Sequence, residues 1–298
     1  MREIYAEQLC KYQEKIYTEL HGLTKNKEFY KKEVMQAMEY SILSPGKRIR
    51  PVLVLEFCKM CGGDYQKFYE IACCIELIHC FSLIHDDLPC MDDDDFRRGQ
   101  PSCHKKYGEA EALLAGDALN TLPFEIISNA YKKELISAEK AIRLVEEISK
   151  AAGINGMIGG QAFDMYSVKM KHFNAQNLNL LHELKTCQLL EASCAMGCIL
   201  ANADDETIEE AREFGKKLGY AFQIVDDILD VEGSFDNLGK PIGSDKDNGK
   251  ITYVSLVGLD KAKDAARHQT LEALKILEKF DNNELMMDLT MDLLNRKK

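Results

Sequence analysis

The chain has 298 residues, 46% hydrophobic and 29% charged, which is ordinary for a soluble globular protein with a sizeable core. A formal charge of -11 argues against nucleic acid or an anionic membrane surface as the main partner, since both are bound through clustered Lys and Arg. The eleven cysteines, behind a charged start (MREIYAEQLCKYQEK) with no signal region, read as reduced small apolar residues, and a cytoplasmic location is expected.

In chain order, Ile4, Leu9, Tyr12, Ile16 and Leu20 recur at helical spacing, and a second helix from about Glu28 ends at Ser44-Pro45-Gly46. Helices are then expected over 51–61, 64–88, 109–130, 137–152, 158–168, 174–201, 205–231, 251–258, 260–280 and 283–295. Asn174, Asp205 and Asp260 are the expected N-caps. Cys58 and Cys61 form a C-x-x-C, but no second pair follows at zinc-finger spacing. The most apolar run, 71–85, is short and contains Glu76 and His79, and no stretch approaches the roughly 20 apolar residues that span a bilayer. Breaks fall at Gly62-Gly63, 99–101, 153–160 and 232–250, and none reads as an interdomain linker. The expectation is all-α: one domain over 1–298, a helical bundle whose central cavity has its mouth between two helices.

Those two helices each end in aspartates. The first cluster, Asp86, Asp87, Asp92, Asp93, Asp94 and Asp95, is followed by Arg97 and Arg98. Carboxylates this close repel one another, so a cation is expected among them. Alone, an acidic run reads as a solvated loop. A second cluster, Asp226, Asp227 and Asp230 in FQIVDDILD, strengthens the metal reading, because Asp226 and Asp230 share a helix face. Oxygen-only ligands suit a hard divalent ion such as Mg2+, which leaves positions for substrate phosphate; Mn2+ fits the same ligand type. Pro89 interrupts the first helix, so Asp92 has to return toward Asp86 through a loop. Upstream, Lys47, Arg48 and Arg50 in SPGKRIRP lie where a helix begins, and helix N-termini favour anions.

HDDLPCMDDDDFRRGQP and FQIVDDILD, with GKRIRP before and LGKPIGSDKDNGK after, resemble the trans-isoprenyl diphosphate synthases, nearest the bacterial farnesyl diphosphate synthase group. The resemblance runs from about Lys47 to Tyr253. It implies the isoprenoid synthase fold, a homodimer, three magnesium ions per site, and condensation of isopentenyl diphosphate with dimethylallyl or geranyl diphosphate. By that resemblance Asp86, Asp87, Asp92, Asp226 and Asp230 would hold metal. Lys47, Arg50, His79 and Arg98 would hold isopentenyl diphosphate, although a lone His on an apolar helix is also a common core residue. Arg97, Lys185, Thr186, Gln223, Lys240 and Lys250 would face the allylic substrate, with Gln161 and Asp164 orienting water or Lys.

Product length is expected from Phe81 and Ser82, five and four residues before Asp86. These spacings rise about 7.5 and 6 Å along a helix. In the family an aromatic at the Phe81 position goes with a C15 stop, which implies farnesyl diphosphate; the plainer reading is a core aromatic. Geranyl or geranylgeranyl diphosphate is the alternative product. A class I terpene cyclase would lack the second diphosphate site and the DDILD pattern, and a regulatory subunit would tend to lose one aspartate cluster.

Overall fold

A computed structural model describes residues 1–25, 28–167, 169–170, 172–232 and 251–295. Among them are fourteen α-helices and a single two-residue-by-two-residue ribbon, so the all-α expectation holds. Contacts divide the chain into two compact units, one of Glu7–Leu55 and Asp64–Val145, the other of Met1–Ala6, Glu56–Gly63 and Glu146–Lys298.

The first unit is built on α4 (Tyr69–Asp86), which is apolar all round and buried along nearly its whole length, as a central helix should be. It packs along α6 (Glu109–Lys132), which also receives α2 (Lys32–Ile42) and α5 (Cys103–Tyr107). Most of α1 (Glu3–Leu23) and the first half of α3 (Ile49–Met60) belong to this unit. The lone carboxylate in the apolar run has a purpose: Glu76, 2% exposed, accepts from Arg48 Nη1 at 2.5 Å, and Arg48 Nη2 donates to the Ile42 and Ser44 carbonyls. Arg48, at φ 52, therefore turns into the core and ties the turn before α3 to α4.

In the second unit α11 (Asp205–Glu232) is amphipathic and packs between α10 (Gln188–Ala201) and α13 (Leu259–Leu277). Ile224, Val225 and Ile228 of α11 form a core with Ala262 and Ala266 of α13, flanked by α12 (Tyr253–Val257) and Leu294 of α14 (Glu284–Leu294). The helix expected over 174–201 is continuous but not uniform. α9 (Ala175–His182) passes into a π turn, Glu183–Cys187, before α10. By length and composition Ala175–Ala201 could cross a membrane, contrary to the sequence expectation, and 67% of its apolar window is buried in protein. α7 (Ala138–Ala152) and α8 (Met157–Ser167) precede it.

Several local expectations change. Asn174 caps α9 in a capping box with Asn177, as expected. Asp204, not Asp205, takes the Thr207 N–H at the start of α11, and Gly258 rather than Asp260 precedes α13. The break at 99–101 is a hairpin, β1 (Phe96–Arg97) against β2 (Gln100–Pro101), turned by Arg98 and Gly99, both at positive φ. Lys240, Lys250 and the LGKPIGSDKDNGK motif lie outside the described residues.

Candidate active site

In the first unit the aspartate loop is folded back by the backbone. The Asp92 N–H donates to the Asp86 carbonyl at 2.9 Å, and Asp93, at φ 50, donates to the Leu88 carbonyl at 3.2 Å. The loop thus returns on the helix end as the Pro89 break requires. Arg97 and Lys105 meet Asp87, Asp93, Asp94 and Asp95. Arg97 reaches Asp87 through Nε at 3.0 Å and through Nη2, and Asp94 at 3.2 Å. Lys105 reaches Asp95 at 2.8 Å and Asp93 at 3.6 Å. Asp87, grouped by sequence with the metal ligands, is 2% exposed and turned inward; burial raises its pKa against the Arg97 bond that lowers it. Asp86 is half-buried and Asp92 exposed. Asp86 and Asp92 offer carboxylate oxygens at a loop held by backbone bonds, a donor type that fits a hard divalent cation.

Close to this loop lies a cluster of guanidinium groups. Arg98 Nη2 donates to His79 Nε2 at 3.3 Å and Nη1 to Ser44 Oγ at 3.1 Å, both neutral acceptors. Burial first, then the Arg50, Arg98, Arg48 and Arg97 charges, hold His79 far below the ordinary imidazole range, so it is neutral at pH 7. Among the described residues the buried Nε of Arg50 has no hydrogen-bond partner, and burial depresses the Arg50 pKa, with Glu76 opposing and Arg98 adding. A Cβ at Gly46 would stand 2.8 Å from Arg98 Nη1, so glycine is what lets this arginine lie against the loop. Lys47 is exposed in the same turn, its carbonyl accepting from Gln13 at 2.8 Å. Uncompensated N–H donors and positive charge in a half-buried site are what an anion would satisfy.

The second unit gathers Asp164, Lys185, Thr186, Gln223 and the second aspartate cluster. Lys185 and Thr186 sit on the π turn. Lys185 Nζ donates to Asp164 Oδ2 of α8 at 2.7 Å, and Thr186 Oγ donates to Gln223 Oε1 of α11 at 3.1 Å. The Oε1 of Gln161 is buried and has no partner among the described residues. Asp227, 5% exposed, accepts the Tyr253 N–H at 2.7 Å and so seats α12 on α11; Asp226 and Asp230 are half-buried.

Phe81 is 4% exposed, its ring edge-on to His85 at 5.7 Å, and Ser82 Oγ donates to the His79 carbonyl at 2.9 Å. His85 in turn fits against α6 only because residue 116 is glycine: a Cβ there would lie 2.1 Å from His85 Nε2. Sequence reasoning missed the Arg48–Glu76 pair, the Arg97–Asp87 bond and the π turn. A lone glutamate in an apolar helix was the available signal for the first.

A family model described as Polyprenyl synthetase matches residues 31–292. The farnesyl diphosphate synthase of Bacillus subtilis is 46% identical over 242 residues, 81% of this chain and 81% of that one. Arabidopsis thaliana heterodimeric geranylgeranyl pyrophosphate synthase large subunit 1, chloroplastic, is 42% identical over 255 residues, 85% of this chain and 69% of that one. Among solved structures, an FPP/GFPP synthase from Zymomonas mobilis superposes with a TM-score of 0.87 at 30% identity, covering 99% of this chain and 100% of that one. A geranyltransferase from Helicobacter pylori, complexed with magnesium and isoprenyl diphosphate, gives a TM-score of 0.83 at 34% identity, covering 99% and 98%.

Proposed function

The chain belongs to the polyprenyl synthetase family, with the all-α isoprenyl synthase fold, and on that premise we propose that it makes mainly farnesyl diphosphate. It would do so by joining isopentenyl diphosphate to dimethylallyl and then geranyl diphosphate. The observation that carries this reading is the guanidinium cluster: among the described residues Arg98 is bonded to the neutral Ser44 and His79, and the buried Nε–H of Arg50 has no partner. An anionic substrate is the natural partner for such donors. We assign isopentenyl diphosphate to Lys47, Arg50, His79 and Arg98.

On the allylic side, Lys185 presents its ammonium, fixed by Asp164, to the diphosphate, with Arg97, Lys240 and Lys250 assigned to the same group. Asp86 and Asp92, and separately Asp226 and Asp230, would hold divalent ions, which would neutralise the allylic diphosphate and make it a better leaving group. The C–O bond to diphosphate breaks with its electron pair leaving on oxygen. Lys185 stabilises the departing charge, and the Thr186 and Gln223 oxygens face the allylic cation. The isopentenyl double bond forms the new C–C bond to that cation, and a proton leaves the adduct to the released pyrophosphate. Apolar side chains of α4 exclude the water that would quench the cation. We read residues 1–298 as one catalytic domain that pairs with a second copy.

Phe81 on α4 supports a C15 stop, as does the Bacillus relative named farnesyl diphosphate synthase, while other relatives are named geranylgeranyl synthases. Chromatography of products from isopentenyl and dimethylallyl diphosphates with Mg2+ tests this. C15 is the expected main product of the natural chain, and Phe81→Ala should shift it to C20 or longer. A main product of C20 from the natural chain, or an active Phe81→Ala enzyme that still stops at C15, would contradict the assignment of the floor to Phe81.

A further inference from the structure

The π turn is held from three sides. Its defining bond runs from the Gln188 N–H to the Glu183 carbonyl, five residues back, and such turns inside α-helices often mark functional sites. Backbone packs against it where side chains are missing: a Cβ at Gly160 would stand 2.7 Å from the Lys185 nitrogen, and one at Gly219 would stand 2.7 Å from Cys187 Sγ. Besides the Lys185–Asp164 pair, a polar hold comes from one stripe of α11. Lys216, Tyr220, Gln223 and Asp227 are spaced four, three and four apart, so they share a helix face. Lys216 Nζ donates to Glu183 Oε1 at 2.7 Å and Tyr220 OH to Glu183 Oε2 at 3.1 Å. One turn further along α11, Gln223 accepts from Thr186. Glu183 and Thr186 are therefore the two polar pins of the π turn on α11, and Lys185 lies between them, drawn toward Asp164.

We propose that Glu183 is a positioning residue for prenyl transfer, fixing the π turn on α11 through Lys216 and Tyr220 so that Lys185 and Thr186 point at the allylic substrate. This rests on the reading of Lys185 and Thr186 given above. Glu183 touches neither substrate nor metal in this account; it acts through the turn. Losing one pin lets the turn shift along α11 by about 1 Å, which misplaces both functional side chains together. Misplacement of about 1 Å can cost on the order of 100-fold in rate.

The test uses the full chain with Glu183→Ala, Glu183→Gln, Tyr220→Phe, Thr186→Ala and the Glu183→Ala/Thr186→Ala double variant. Glu183→Ala should lower kcat on the order of 100-fold with KM for isopentenyl diphosphate unchanged. Glu183→Gln keeps an acceptor for Tyr220 and should recover part of that loss, and Tyr220→Phe, which removes one hydroxyl, should show a smaller loss of the same kind. The double variant should be no slower than the worse single variant, because both pins act on one turn. Hydrogen exchange by mass spectrometry should show faster exchange of amides 184–188 in Glu183→Ala and unchanged exchange in α4. Full kcat in Glu183→Ala, a loss confined to KM, additive losses in the double variant, or unchanged exchange at 184–188 would each overturn the proposal. Exchange needs no turnover, so it still decides the role of Glu183 if the natural chain transfers no prenyl group and the functional reading fails.

Discussion

Asp92 and Asp95 are three residues apart in one acidic run, yet the structure separates them by what they face. Asp95 is answered by Lys105 at 2.8 Å, which also holds its carboxyl below the usual range, whereas Asp92 is exposed at the backbone turn that returns to Asp86. Asp92→Ala should lower turnover by orders of magnitude and Asp95→Ala much less, in steady-state assays at saturating Mg2+. Equal turnover of Asp92→Ala and the natural chain would remove Asp92 from the metal site. A second carboxylate makes a different prediction. Burial pushes the Glu191 carboxyl up from 4.5 to about 7, with Lys216 opposing, and its Oε1 has no partner among the described residues. A folded pKa above the unfolded one gives an acid a stabilising contribution that is full below the unfolded value and lost as pH rises through the folded value. Glu191→Gln does not titrate, so its stability should match the natural chain near pH 4 and exceed it near pH 8 by about 1–3 kcal/mol, read from urea unfolding at each pH. No rise in that difference with pH would show that burial does not raise the Glu191 pKa in the fold.

The helices carry the next level. Glu76→Ala would leave the Arg48 charge buried at the junction of α3 and α4 without its partner, and should cost roughly 3–5 kcal/mol in urea unfolding. Replacing both by apolar residues of similar volume should cost far less, and equal costs would mean that the pair is not coupled. Most helices were legible because apolar periodicity, Pro89 and the capping asparagine at 174 act locally, and both aspartate clusters were legible for the same reason. What stayed hidden depends on partners distant in sequence. The fold supplied Glu76 as the partner of Arg48, and the hairpin brought Arg97 onto Asp87. The π turn left no trace in the pattern of 174–201, since Gly160 and Gly219, which make room for it, lie on other helices. Asp204 beat Asp205 to the cap of α11 by one residue, a choice that composition does not encode.

At the scale of the whole molecule, α1, α3 and α7 each run across a boundary between the two compact units, and both units carry part of the diphosphate chemistry assigned to this chain. The guanidinium cluster and first aspartate loop belong to one, and Lys185, Thr186 and the second aspartate cluster to the other. Taken as one catalytic domain, the chain is expected to unfold in a single cooperative transition, with the same midpoint by circular dichroism and by calorimetry. Two separated transitions would contradict that reading. In the proposed reaction an allylic diphosphate is ionised in order to be joined to isopentenyl diphosphate. Pyrophosphate release, followed together with extraction of prenyl diphosphate from the full chain and Mg2+, tests it most directly. One pyrophosphate for each new C–C bond, released only when both diphosphates are present and abolished by chelating the metal, is the predicted result. Pyrophosphate released from the allylic substrate alone with a hydrocarbon product, or no release with both substrates present, would contradict it.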